Sequence, residues 1–220
     1  PVLQELRTAV RERVDLSLFD NARVIYAIRL QTKRQTLNAT LVGHSVPSFC
    51  TSGGWAMLSR LSPDRARAIV EASDRRPFTP HTITDVDEIM ARIAQTRADG
   101  YALAISQILS GEIAAGFPIM DANGDPVAAI HIAGSLAEWT PADFVQRVVP
   151  PGQQAARAAG IGQAAGEIHQ RKRRGGIHAR QCGVIRKRLE AVPEGRCRGT
   201  RLARISHPRH GLRGGVPPTG

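Results

Sequence analysis

The sequence has little cysteine. Three residues, Cys50, Cys182 and Cys197, are spread over 220 positions, an odd number with no metal-type spacing. That excludes a disulfide framework, gives no reason to expect a metal site, and makes a reducing cytoplasm the expected compartment. Long apolar runs are also missing. None reaches the roughly 18–20 residues that cross a bilayer, so no membrane-spanning helix is expected. The opening stretch "PVLQELRTAVRERV" reads as a charged amphipathic helix and not as a secretion signal. An initiating Met is absent, and the start at Pro1 is read as that of a fragment or processed product. Aromatic residues are few, and none interleaves the basic residues near the C-terminus.

Apolar residues make up 42% of the chain, enough to build a core. The net charge of +11 is unevenly placed: residues 1–150 carry 15 Lys and Arg against 16 Asp and Glu, while residues 151–220 carry 15 against 3. The body is near neutral and only the C-terminal part is basic. Beyond about residue 166 the chain is rich in Arg, Gly and Pro without sustained periodicity. Such a segment buries too little apolar surface to offset its ordering entropy. We therefore expect a folded domain over 1–166 and a disordered basic tail over 167–220.

Within the body, "VDLSLFD" at 14–20 alternates apolar and polar residues, and "ARVIYAIRL" at 22–30 follows a break at Asp20 and Asn21, which predicts a hairpin. A weaker strand is expected at 38–43. Short helices are expected at 54–61 and 62–73, the second capped by Ser62 with Pro63 in its first turn. "TITDVDEIMARIAQTRADG" predicts a longer helix, with Asp85 or Thr84 as cap, Ile89, Ile93 and Thr96 on one face, and Gly100 as the left-handed stop. A strand at 101–106 precedes a hairpin of 113–120 with 126–133 around Asn123 and Gly124. A last helix starts at Thr140 and Pro141, and Pro150 and Pro151 should kink or interrupt it. Antiparallel strands with helices packed around them give an α+β architecture.

The stretch "FCTSGGWAML" at 49–58 is the most chemically suggestive. As an enzyme site, Cys50 or Ser52 is the nucleophile of a small hydrolase or transferase, with His44, His81 or His131 as base. No G-x-S-x-G elbow supports that reading. As a cradle, Ser52, Gly53 and Gly54 open a helix whose free amides favour a carboxylate, with the Thr51 and Ser52 hydroxyls as further donors. His81, Asp85, Asp87 and Glu88 are read as helix capping rather than metal binding. The basic tail gives a third reading, nucleic-acid binding by charge.

Four pieces carry a family resemblance: "PVLQELRTAVRERVDLSLFDNARVIYAIRL", "VGHSVPSFCTSGGWAMLSRLSP", "FTPHTITDVDEIMARIAQTRADGYA" and "GEIAAGFPIMDANGDPVAAIHIAG". In this order they resemble the effector-binding domain of IclR-type transcriptional regulators, over about residues 1–165. The resemblance implies a GAF-like antiparallel sheet flanked by helices, with no catalytic residues and no cofactor. It implies a pocket for a small organic acid or aromatic effector, and homodimers or homotetramers. DNA contact is implied only through an N-terminal winged helix-turn-helix that lies outside this chain, and membrane contact is not. The pocket positions carried over are Thr51, Ser52, Gly53, Ala104, Ile105, Ala114, His131 and Ala133. "GYALAISQ" stands where relatives are usually acidic, and Trp55 stands in place of a Lys. A more apolar wall of this kind implies a larger or more apolar effector.

Overall fold

The computed structural model describes residues 2–31 and 42–161. The expected tail lies outside the described residues, as do positions 38–41 of the expected strand, while 42–43 form a turn.

The first helix, α1 (Val2–Val10), buries Leu6 and Val10 and ends at Arg11, whose φ of 61° breaks the helical path. Strands β1 (Arg13–Asp20) and β2 (Arg23–Leu30) form the expected hairpin, turned at Asn21 with a φ of 49°. Asn is among the residues that tolerate this left-handed region. A three-residue strand β3 (Ser45–Pro47) and a 3-10 turn (Ser48–Cys50) lead into α2 (Ser52–Leu58). Helices α3 (Pro63–Glu71) and α4 (Val86–Asp99) follow. Ser62 caps α3 and Asp85 caps α4, each accepting a hydrogen bond from the amide three residues on. Gly100, at φ 75°, closes α4 in the left-handed conformation that glycine adopts without steric cost. Strands β4 (Ala102–Ile105), β5 (Glu112–Met120) and β6 (Pro126–Ser135) precede the final helix α5 (Pro141–Ile161).

Six strands form one antiparallel sheet in the order β3-β2-β1-β6-β5-β4. The architecture is the expected α+β. Strand alternation gives the sheet two faces. On one, Val14, Ile113, Phe117, Ile130 and Ile132 pack with Leu6, Val10, Phe144 and Val148 from α1 and α5. Full burial of such side chains contributes about 1.5–3 kcal/mol each. On the other, Ala102 and Ala104 of β4 join a cluster with Phe49, Trp55, Leu58, Ile89 and Ile93. Met57 of α2 packs with Val24 and Ala129. Helix α2 thus lies against the second face, with α3 and α4 behind it.

Helix α5 runs through Pro150 and Pro151 without interruption, so of the two expected outcomes, a kink or a break, the break does not occur. The two missing N–H groups free the carbonyls of Gln146 and Arg147. Both residues are exposed, so water can satisfy them. The next residue, Gly152, is buried, and a Cβ there would sit 2.4 Å from the Phe117 ring. The ring packs directly on the helix backbone and holds it at the proline step.

Candidate functional site

The second face of the sheet is apolar where α2 covers β4, β5 and β6 most closely, but not along β1. Alternation puts Arg13, Asp15 and Ser17 on this inner face, although a polar stripe on a strand reads from sequence as solvent-facing. Opposite them in β2 stand Arg29, paired with Asp15, and Tyr26, paired with Ser17. Residues 26 and 29 are an odd number of positions apart, so a regular strand would place them on opposite faces. A bulge leaves Ala27 without a partner between Ile28 and Tyr26, and this restores both to one face. Across β1 from β2, β6 contributes His131 opposite Asp15 and Ala133 opposite Arg13.

These side chains surround a cavity of about 240 Å³. Arg13, Asp15, Tyr26, Arg29 and His131 line it from the sheet, Cys50, Thr51 and Ser52 from the approach to α2, and Gln107, Ile108 and Leu109 from the β4–β5 loop. Of the eight positions named from sequence, Thr51, Ser52, Ala104, Ala114, His131 and Ala133 line the cavity. Ile105 does not; it pairs with Ile113 and packs on the opposite face of the sheet. Gly53 does not either, because its absent side chain is replaced by His131: a Cβ would lie 2.1 Å from the imidazole Cε1. Close approach is also the role of Gly54 against Ser48, and of Gly116 against the Ser52 carbonyl. Thr51 is used within the turn, where its hydroxyl accepts from the Gly54 amide at 3.1 Å and donates to the Pro47 carbonyl at 3.2 Å.

His131 is buried between two serines. Its Nε2 lies 2.6 Å from the Ser17 hydroxyl and its Nδ1 3.4 Å from the Ser52 hydroxyl. Burial, with Arg13 and Arg29 nearby, pulls its pKa down to about 3, so the ring is neutral at physiological pH. A neutral ring uses one nitrogen as donor and the other as acceptor, which suits a bridge between two hydroxyls. It does not suit a general base, because both nitrogens meet serines and not an orienting carboxylate. Burial pushes the Cys50 thiol up to about 12, so no thiolate is available as a nucleophile. Asp85 is occupied as a cap and Asp87 pairs with Arg67 at 2.7 Å, away from His81.

The charged groups are paired unevenly. Arg13 bridges Asp15 at 3.0 Å and Glu112 at 2.7 Å. Burial works against its charge, but the two carboxylates outweigh it and raise its pKa. Arg29 meets Asp15 only at 3.8 Å, too long for a hydrogen bond. Burial therefore dominates both partners, raising the Asp15 pKa and lowering that of Arg29. Arg29 Nε and Asp15 Oδ1 are the two buried side-chain polar atoms without a hydrogen-bond partner among the described residues. Both belong to residues that line the cavity.

The sequence model of the family described as "Bacterial transcriptional regulator IclR C-terminal" matches residues 1–160. The chain belongs to the IclR family of bacterial transcriptional regulators. The Pca regulon regulatory protein of Pseudomonas putida is 25% identical over 151 residues, covering 68% of this chain and 52% of that protein. The solved IclR of Thermotoga maritima superposes with a TM-score of 0.66 at 23% identity, covering 73% of this chain and 66% of that one. A double mutant of the inducer-binding domain of the Acinetobacter transcription factor PobR, solved with 3-hydroxybenzoic acid, gives 0.65 at 22%, covering 72% and 93%. This IclR chain spans about half the length of the curated relatives it matches. Those relatives are named as regulators of transcription or of a regulon. Among the described residues, no helix is long and apolar enough to cross a membrane.

Proposed function

We propose that this domain senses a small organic or aromatic acid for a transcriptional regulator, and that the cavity beneath β1 and β2 is its effector site. The observation that carries the reading is a polar hollow inside an otherwise apolar fold, with a buried arginine whose Nε lacks an acceptor. Leaving such a donor unpaired is costly, about 1–3 kcal/mol or more for a charged group. A ligand carboxylate supplies the acceptor, and guanidinium and carboxylate match in geometry. The volume suits a compact acid, and a double mutant of the PobR domain of the same fold was solved with 3-hydroxybenzoic acid.

The effector site includes Thr51, Ser52, Ala104, Ala114, His131 and Ala133 from the sequence reading, with Arg13, Asp15, Tyr26 and Arg29 added from the fold. Residues 1–166 act as the sensing unit, in the cytoplasm, as a homodimer or homotetramer. DNA is read by a winged helix-turn-helix in a part of the longer regulators that this chain does not span. The effector alters DNA binding by favouring one subunit arrangement over another, which requires different affinity for the two. A thermal-shift panel of small aromatic and aliphatic acids tests the reading. We expect saturable stabilisation, about 2.7 kcal/mol at a hundredfold excess over Kd, that is lost in Arg29→Gln. Stabilisation that survives this substitution, or no stabilisation by any acid, rejects it.

A further inference from the structure

Two residues that line the cavity carry unmatched, buried side-chain atoms of opposite kind. Arg29 Nε is a donor without an acceptor, and Asp15 Oδ1 is an acceptor without a donor. They lie 3.8 Å apart, and the side chains are 6% and 1% exposed. A plain carboxylate on Arg29 satisfies only the first. It also brings a negative charge close to Asp15 in a buried site, where like charges repel far more strongly than in water. Arg13 does not relieve this, because its guanidinium already bridges Asp15 Oδ2 and Glu112. A ligand that carries a second, donating group beside its carboxylate satisfies both atoms and turns the repulsion into a hydrogen bond.

We infer, building on the acid-sensing reading, that the effector is a carboxylic acid with a hydroxyl or amino group, its carboxylate on Arg29 and its donor on Asp15. Asp15 is then the residue that sets specificity between such acids and their simple analogues. A site built around a ligand's polar group discriminates strongly against the analogue lacking it, because the protein's own group is left unpaired. His131 and Ser17 do not serve this role, since they are bonded to each other at 2.6 Å.

The test is calorimetric titration of the 220-residue chain with matched acids: benzoate, 3-hydroxybenzoate and 3-aminobenzoate, and propionate, lactate and alanine. We expect a donor-bearing acid to bind at least about tenfold tighter than its simple analogue, with the hydroxyl and amino arms telling which donor is preferred. In Asp15→Asn the amide removes the charge and offers a donor to the simple acid, so the gap should close. Matched acids that bind the unmodified chain equally overturn this inference while leaving the acid site standing. A gap that persists in a folded Asp15→Asn chain overturns the role of Asp15. If that variant does not fold, the matched comparison in the unmodified chain decides alone. Failure of every acid to bind removes the site itself, and the inference with it.

Discussion

Gly53 and His131 form a matched pair: a backbone without a side chain on α2, and an imidazole from β6 that fills the space. Gly53→Ala forces the ring or the helix to move, an overpacking that costs about 1–3 kcal/mol. For a domain of this size each kcal/mol lowers Tm by about 2–4 °C. His131→Ser makes room for the methyl group, so the double variant should lose less than the sum of the single ones in a thermal-denaturation cycle. Additive losses would show that the two residues do not share that space. His131 also sets an acid limit. Its folded pKa is about 3, while the unfolded ring titrates at about 6.5. The unfolded chain then binds more protons between those values, so stability falls as pH drops from about 6.5 toward 3. Asp15, with its pKa raised by burial, acts in the opposite sense at the low end. The slope between pH 6.5 and 4.5 in urea unfolding should flatten in His131→Gln. At this scale the sequence made Thr51, Ser52, Ala104, Ala114, His131 and Ala133 legible through family positions. It hid Arg13, Asp15 and Arg29, because a charged stripe on a strand looks the same whether it faces water or a closed hollow.

The elements themselves follow from local chemistry more directly. The α4 helix is announced by a cap, an apolar stripe and a terminal glycine, and all three act in the fold: Asp85 holds the Glu88 amide at 2.9 Å, Ile89, Ile93 and Thr96 are buried, and Gly100 is left-handed. Asp85→Ala should cost about 1 kcal/mol, read as a lower urea midpoint. Ser62→Ala should cost less, since its capping contact is 3.4 Å and exposed. The β5–β6 hairpin and its turn at Gly124, with φ 81°, follow from Asn-Gly between apolar runs. The bulge at Ala27 does not follow from any local signal. It is fixed by the pairing of β1 with β2, yet it alone turns Tyr26 and Arg29 toward the same hollow. The proline step of α5 was equally opaque, because a tertiary contact, Phe117 on Gly152, overrides the local preference for a break.

For the whole molecule, charge and composition separate a near-neutral body from a basic C-terminal part, and the family match ends at residue 160. A chain cut after residue 166 should therefore keep a single cooperative thermal transition and the same acid affinity as the 220-residue chain. A lost or broadened transition would mean that the tail contributes to the fold. A salt-sensitive affinity for DNA, if the long chain shows one, should vanish with the cut, since 14 of the 30 Lys and Arg lie beyond residue 166. One face of the sheet is a plain core, and the other carries a charged recess lined by the segment leading into α2. The most direct measurement is a crystal structure of the chain grown with 3-hydroxybenzoate. Density for the acid is expected between β1, β2 and Ser52, with its carboxylate on the Arg29 guanidinium. Density for the acid elsewhere, with Arg29 hydrogen-bonded to Asp15 across a closed recess, would contradict the proposed site.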